Sequence, residues 1–250
     1  MNDLKHIGNS MEATVARQRE RGATPYARKA PASVHEITER VLSAIWEHRL
    51  PPGTKLVEEK LASVFGVSRT KIRQALVRLA HDSILTIYPN RGTFVSSPTV
   101  EEARHVFNAR RVIEPALMRQ LAQTATKDQV SPLRQNVALE SEARARHDRR
   151  GIIRLSGEFH IIMAEMAGNP FLLKSMRELC SLTCLIIALY DSPGITACPH
   201  HEHDELLALI QARDGERAAS LMMKHLDHVE HALDLHLPAG EEIDLEAVFA

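Results

Sequence analysis

Hydrophobic residues recur with helical spacing over most of the chain, and this pattern predicts where its helices lie. Residues 33–49 open with a serine and a glutamate in capping-box spacing, and an apolar stripe follows them. Residues 57–80 contain two more apolar stripes, which are separated by Gly66 and Ser68. A glycine after a helix end and a serine before the next helix predict two short helices joined by a tight turn.

Two short segments with strand-like composition come directly after these helices. Leu85–Tyr88 and Thr93–Val95 predict strands, and the intervening Pro89-Asn90-Arg91-Gly92 is typical of a turn. A helix-turn-helix followed by a hairpin with a basic tip predicts a winged helix, whose second helix enters the major groove of DNA. An ordinary helical hairpin with a solvated basic face is the alternative.

Beyond a linker at residues 96–99, the chain is predicted to be helix and short turn. Its apolar stripes and stop signals predict helices at residues 100–123, 131–147, 148–167, 171–190, 200–212 and 216–236. The predicted fold class is mainly α, with a winged helix-turn-helix at residues 33–96 joined to an all-α bundle of six or seven helices at residues 100–236. Residues 1–32 are predicted to be a disordered basic arm, and residues 237–250 an acidic tail.

The distribution of charge distinguishes the two parts. Residues 1–95 hold 15 Lys and Arg against 9 Asp and Glu, whereas residues 96–250 hold 16 against 23. An excess of +6 on one side and of −7 on the other suits a molecule that grips phosphates with its N-terminal part only. No apolar run is long enough to span a membrane and no secretory leader is evident, so we expect a cytoplasmic protein. The three cysteines are expected to be reduced and buried.

The basic second helix and the wing supply the candidate DNA contacts. Arg69 and Arg73 lie one turn apart on one face, and arginine can bond guanine O6 and N7 together, so these two are the candidates for base reading. Ser68, Thr70, Lys71 and Arg91 are the candidates for phosphate contacts. Gly92 at the wing tip would let the backbone approach the sugar-phosphate edge. The basic arm could contact the DNA backbone as well, or it could be a solvated tail without a role.

Histidines are concentrated in the second part, which holds ten of the fourteen. His160, His203 and His225 lie on three different predicted helices, each beside apolar residues. Inward-facing histidines from three helices of a bundle can bind a divalent metal through neutral imidazole nitrogens. Each of them could instead be an ordinary buried histidine with a hydrogen-bond partner.

Both parts resemble one known family. The segment LASVFGVSRTKIRQALVRLAHDSILTIYPNRGTFV is similar to the DNA-binding domain of the GntR family of bacterial transcriptional regulators. The segments NARRVIEPAL, GEFHIIMAEMAGNPFL and EHDELLALIQARDGERAASLMMKHL resemble the FCD effector domain of its FadR subfamily. The resemblance implies a homodimer that binds a near-palindromic operator on double-stranded DNA.

The resemblance also implies a ligand site. Many FCD domains bind a divalent metal, here expected to be zinc or nickel, through three histidines that match His160, His203 and His225. The family places an Asp or Asn four residues before the first histidine, and this chain departs from that pattern with Ser156. Arg110 stands where the family often has an arginine that faces the effector, and a structural pair with Glu114 is the alternative.

Three functions follow from these observations. The first is a ligand-responsive repressor that a small organic acid releases from DNA, with Arg110, Ser156 and the three histidines as the effector site. The second is a metal-dependent hydrolase in which three histidines activate water, although no HExxH or GxSxG motif is present. The third is a constitutive DNA-binding protein whose effector domain has degenerated. The first is the leading hypothesis, and we do not expect an enzyme.

Overall fold

The computed structural model of the chain describes residues 32–191 and 201–235. These residues form nine α-helices: α1 Val34–Trp46, α2 Glu58–Phe65, α3 Arg69–His81, α4 Val100–Thr124, α5 Ser131–Ala145, α6 Arg149–Met166, α7 Pro170–Tyr190, α8 Glu202–Gln211 and α9 Gly215–His231. They also form three strands: β1 Lys55–Leu56, β2 Leu85–Tyr88 and β3 Gly92–Val95. The mainly α fold is therefore confirmed, and the predictions for the acidic tail and for nearly all of the basic arm lie outside the described residues.

The winged-helix part, α1 to β3, forms where the capping signals predict it. Ser33 accepts a hydrogen bond from the backbone of Glu36, whose side chain reaches back to the backbone N–H of Ser33. Gly66 ends α2 with a φ of +64°, a left-handed conformation that glycine adopts without strain. The side chain of Ser68 caps α3. Ile37 and Ile72 are among the fully buried side chains of this part.

The strands form one antiparallel sheet with the order β1-β3-β2. The pattern did not predict β1, because a strand of two residues leaves no periodicity to detect. The apolar stripe of α2 is also less buried than expected. No residue of α2 is fully buried, and Val64 is 71% exposed.

Six helices, α4 to α9, form the bundle. Helices α4 and α9 pack against each other, and Arg111 on α4 pairs with Asp227 and Glu230 on α9. Helix α9 ends at His231, five residues earlier than predicted, because the chain turns there and Leu233 bridges to Asp191. No helix in the described ranges is long and apolar enough to cross a membrane.

Helix α7 connects the bundle with the winged-helix part. The indole N–H of Trp46 donates to Ser181 Oγ over 3.2 Å, and His48 Nε2 donates to the carbonyl oxygen of Cys184 over 3.1 Å. Helix α1 ends at Trp46 rather than at residue 49, because the chain leaves it through His48, which has a φ of +52°. The hydroxyl of Tyr190 donates to the carbonyl oxygen of Pro98, so α7 also fixes the linker.

Candidate metal centre and DNA-binding surface

The three predicted histidines meet inside the bundle. His160 on α6, His203 on α8 and His225 on α9 are all buried, and each offers a ring nitrogen within 4.8 Å of the other two. The Nε2 atoms of His160 and His225 are 3.3 Å apart. The ring of Phe159 stacks on that of His203 with 4.1 Å between centroids, which fixes the plane of this imidazole.

Each of these histidines has a carboxylate on its other nitrogen. Nδ1 of His160 is 2.6 Å from Glu114, Nδ1 of His203 is 2.7 Å from Glu140, and Nδ1 of His225 is 2.7 Å from Glu202. A carboxylate can only accept a hydrogen bond, so each Nδ1 carries the proton. Each Nε2 of a neutral imidazole then presents its lone pair toward the shared centre.

Two of these carboxyl groups have strongly lowered pKa values. Burial alone would raise the pKa of Glu114, but the adjacent Arg110 and His160 lower it to about 2. Burial likewise opposes ionisation of Glu140, whose pKa the hydrogen bond from His203 and the charge of Arg144 lower to about 2. The pKa of Glu202 is also lowered, because the hydrogen bonds from His225 and His228 outweigh its partial burial. All three are carboxylates at neutral pH.

Burial has the opposite consequence for the imidazoles. It lowers the pKa of His160 to about 3, although Glu114 partly offsets the shift, and it lowers the pKa of His225 to about 4 against the pull of Glu202. Both rings are therefore neutral at physiological pH, which is the form that binds metals.

A divalent cation fits this arrangement. The Nε2 atoms of His160 and His225 are 3.3 Å apart. Their lone pairs repel each other unless a positive charge lies between them. Nε2 of His203 is buried and has no hydrogen-bond partner among the described residues. Three imidazole nitrogens, each oriented by a carboxylate, are a donor set that proteins use for zinc and related ions.

Arg110 forms the structural pair with Glu114 that was one of its two readings. Its Nε donates to Glu114 over 2.5 Å, so it is a member of a buried ion pair. Its Nη1 donates to the hydroxyl of Thr183 over 3.1 Å, whereas its Nη2 is buried and lacks a partner within the described part of the chain. Such an unmatched donor is costly unless a ligand accepts from it. Cys180 and Cys184 are buried and free, as predicted, whereas Cys198 lies outside the described residues.

Ser156 lies one helical turn before His160 on α6 and is half-buried. Its neutral hydroxyl cannot bring the negative charge of the family's Asp to the centre. Within residues 32–191 and 201–235, the group that could hold a metal consists of the three histidines alone. The described residues therefore supply three ligands to a metal there.

A narrow cleft of about 230 Å³ lies between α5 and α8. It is lined by Glu140 and His203, together with Arg144 and Asp204. The cleft therefore reaches one of the three histidine–carboxylate pairs, and Arg144 is among the residues that line it.

The other histidines of this region differ from the buried three. His201 and His231 are exposed, and His200 lies outside the described residues. His228 is 54% exposed in its side chain, but its Nδ1 is 2.5 Å from Glu202. His228 therefore shares the carboxylate that orients His225.

On the DNA-binding side, the two arginines chosen for base reading converge on one carboxylate. Arg73 donates from Nε and Nη2 to the two oxygens of Glu58, over 2.9 and 2.8 Å. Arg69 Nη2 is 3.8 Å from the same carboxylate. Both guanidinium groups are nearly two-thirds exposed on the first two turns of α3.

The phosphate-contact candidates occupy two places. Ser68 and Thr70 are exposed at the start of α3, where backbone N–H groups favour anions. Lys71 is half-buried and donates from Nζ to the carbonyl oxygen of Ala32 over 3.2 Å, so it has a structural contact that the sequence did not reveal. At the wing tip, the guanidinium of Arg91 lies over the ring of Tyr88, and Gly92 adopts a φ of +104°.

Sequence reasoning missed the groups behind the candidate ligands. Glu140 and Glu202 were not singled out, and on the DNA-binding side Glu58 was expected to favour the start of its helix rather than to pair with Arg73. Their partners are distant in the sequence, so no spacing rule connects them. One signal was available, since Glu140 is a charged residue on the face of α5 that also carries Val137 and Ala143.

A winged helix-turn-helix with a basic second helix, joined to a helical bundle around a ligand site, defines a transcriptional regulator. Comparison with protein-family models supports this class for both parts. Residues 34–95 match the model "Bacterial regulatory proteins, gntR family", and residues 105–228 match the FCD domain. The chain belongs to the GntR family, carries an FCD domain consistent with the FadR subfamily, and is a ligand-responsive DNA-binding regulator of transcription. These matches do not support the alternative of a metal-dependent hydrolase.

Individual relatives agree with this assignment. The chain is 25% identical to the HTH-type transcriptional repressor RspR of Escherichia coli (strain K12), over 74% of this chain and 81% of the relative. It is 28% identical to the HTH-type transcriptional repressor NanR of Salmonella schwarzengrund, over 84% and 88%. The crystal structure of a putative transcriptional regulator GntR from Rhodococcus sp. RHA1 shares the fold, with a TM-score of 0.70 and 24% identity over 79% of this chain and 95% of that one.

Proposed function

We propose that the chain is a cytoplasmic homodimeric repressor that leaves a near-palindromic operator when a small carboxylate binds in its bundle. In this proposal residues 33–96 bind DNA and residues 100–236 bind the effector and dimerise, while residues 1–32 and 237–250 form an arm and a tail. The names of the relatives support repression, since RspR and NanR are both called repressors. A symmetric dimer would present two α3 helices to two half-sites about one helical turn of DNA apart.

On DNA, Arg69 and Arg73 read guanine edges in the major groove. Their exposed guanidinium groups and their position on the first two turns of α3 support this role. Ser68, Thr70 and Lys71 contact phosphates beside them. In the wing, Arg91 and Gly92 approach the neighbouring backbone.

In the bundle, His160, His203 and His225 hold a divalent metal, zinc or nickel. The observation that carries this proposal is the convergence of their ring nitrogens within 4.8 Å, with Nε2 of His203 buried and unpaired in the described part of the chain. When bound, such an ion supplies a positive charge to which a carboxylate can bind. Ser156 brings no carboxylate of its own, so that position goes to water or to the effector.

Arg110 holds the other side of the effector. Its Nη2 is buried without a partner among the described residues, and its charge favours an anion. The effector would thus meet two cationic groups, the metal and Arg110. A small organic acid is the ligand class that suits this chemistry, and the cleft between α5 and α8 offers it a way in.

A selection of genomic DNA fragments by the purified protein, at two salt concentrations, tests the proposed regulator. We expect a few fragments that share a short palindrome and that remain enriched at the higher salt. Enrichment that is uniform and vanishes with salt would mean purely electrostatic binding, and would contradict the proposal. The enriched fragments, titrated with zinc and with simple carboxylates, then test the release from DNA. Binding that ignores both metal and carboxylates would instead support the constitutive protein.

A further inference from the structure

The candidate metal centre has a second layer of carboxylates that come from three separate helices. Glu114 on α4, Glu140 on α5 and Glu202 on α8 each contact one histidine, over 2.6 to 2.7 Å. Glu114 and Glu140 are buried as deeply as the histidines themselves. Burying one carboxylate is costly, and burying several around one point calls for a reason beyond packing.

Each carboxylate is also held from its far side. Arg110 donates to Glu114, and Arg144 donates to Glu140, over 2.5 Å in both cases. His228 contacts the second oxygen of Glu202 over 2.5 Å. The centre therefore contains three triads, each made of a histidine, a glutamate and an outer nitrogen group. The outer group prevents the carboxylate from rotating away from its histidine.

The three triads determine which nitrogen of each histidine faces inward. With Nδ1 committed to a carboxylate, the lone pair of each Nε2 points to the common centre. A carboxylate behind an imidazole also makes that imidazole a more basic ligand. Three triads of this kind would compensate for the negative charge that is lost where Ser156 replaces the family's carboxylate ligand.

We propose that Glu114, Glu140 and Glu202 are positioning residues of the metal centre, which fix its histidines in the metal-binding tautomer and supply the negative charge that Ser156 does not. This inference rests on the proposed metal site and adds the residues that make it work. It assigns the carboxylates no direct bond to the metal. Their action is on the affinity for the ion and on the geometry of its ligands.

Exchanging glutamate for glutamine separates charge from shape. Glu140→Gln and Glu202→Gln keep an oxygen that accepts from Nδ1 but remove the negative charge. Glu142→Gln and Glu205→Gln are matched controls on the same two helices, because both side chains are exposed. The full-length protein, freed of metal, is titrated with zinc in competition with a chelator of known affinity. The visible absorption of the cobalt-loaded forms reports the ligand geometry.

We expect Glu140→Gln and Glu202→Gln each to weaken zinc binding about 10- to 100-fold, while the controls stay within about twofold of the wild type. The thermal transition of each metal-free variant shows whether it is folded. Because two separate glutamates are tested, the experiment still decides the question if one variant does not fold. Wild-type affinity and an unchanged cobalt spectrum in both folded variants would overturn the positioning role alone. A wild-type protein that binds no zinc would overturn the metal centre as well.

Discussion

The indole N–H of Trp46 donates a hydrogen bond to Ser181 Oγ, and this contact ties the winged-helix part to the ligand-binding bundle. Two residues further along α7, Thr183 accepts a hydrogen bond from Arg110. One turn of α7 therefore contacts both the last residue of α1 and the arginine proposed to hold the effector. A small displacement of this turn would be passed to the winged-helix part through the hydrogen bond between Ser181 and Trp46.

Ser181→Ala is expected to weaken this connection. It leaves the buried indole N–H of Trp46 without an acceptor, which should cost about 1–3 kcal/mol of stability. If the turn transmits the effector signal, the variant should also lose much of the change in DNA affinity that zinc and carboxylate produce. Urea unfolding and DNA titrations with and without ligand measure the two effects. Ser175→Ala is the control, since this exposed serine bonds only within its helix.

Arg69→Ala is expected to cost about 1–3 kcal/mol of specific DNA binding and to relax the preference at one base pair. The reason is the loss of a paired contact with one guanine. Binding curves on the selected operator and on its single-base variants measure the effect. An equal loss on operator and random DNA would reassign Arg69 to a phosphate.

His225→Ala should lower metal content and thermal stability together, because it removes one of three ligands from an ion that stabilises only the folded state. Metal analysis after dialysis and thermal melts in the presence of zinc provide the two readings. His231→Ala, an exposed histidine on the same helix, serves as the matched control. Unchanged metal content in His225→Ala would refute the assignment.

Ser156→Asp should restore the carboxylate that the family places at this position. We expect tighter zinc binding, because a charged oxygen replaces a neutral hydroxyl. We also expect a weaker response to carboxylates, because the new side chain competes with them for the metal. Zinc titrations with and without acetate measure both effects. Looser zinc binding would indicate that Ser156 does not face the metal.

The metal-free protein should lose stability in mild acid. His160 and His225 have pKa values lowered to about 3 and 4 in the folded state, so below their ordinary value of 6.5 only the unfolded chain takes up these protons. Stability is then complete above pH 6.5 and falls as the pH approaches 4, by about 1.4 kcal/mol per pH unit for each histidine. Below pH 4.5, protonation of Glu114 and Glu140 in the unfolded chain extends the loss toward pH 2. Urea unfolding between pH 7.5 and 5 checks the first part, and a flat profile would refute it.

The periodicity and capping signals were sufficient to predict the architecture, because each helix carries its own apolar stripe and its own boundary residues. The ends of α1 and α9 were misplaced, since they depend on the φ of His48 and on the bridge between Asp191 and Leu233. Neither feature leaves a local pattern in the sequence. Val64 fitted an apolar stripe equally well, yet it is 71% exposed, because no element of the described residues covers it.

The candidate site was only partly predictable for a related reason. The three histidines could be chosen because each lies beside apolar residues and matches a family motif. The carboxylates could not, because Glu114 precedes His160 by 46 residues and Glu140 precedes His203 by 63, and the pairs meet only when the helices pack. Composition and spacing thus reveal which residues could bind a metal, whereas the packing of the helices determines which carboxylates form hydrogen bonds with those residues.

The salt bridge between Glu58 and Arg73 has a consequence for how the protein searches the genome. If Arg73 binds DNA as proposed, the DNA must first displace the Glu58 carboxylate from it. The pair is exposed to solvent, which screens the attraction between the two groups, so this competition is weak. On the proposed role of Arg73, this competition would shorten every encounter with random sequence, whereas a guanine whose O6 and N7 accept both N–H groups would offset it. The carboxylate therefore favours rapid departure from wrong sites over tight binding everywhere.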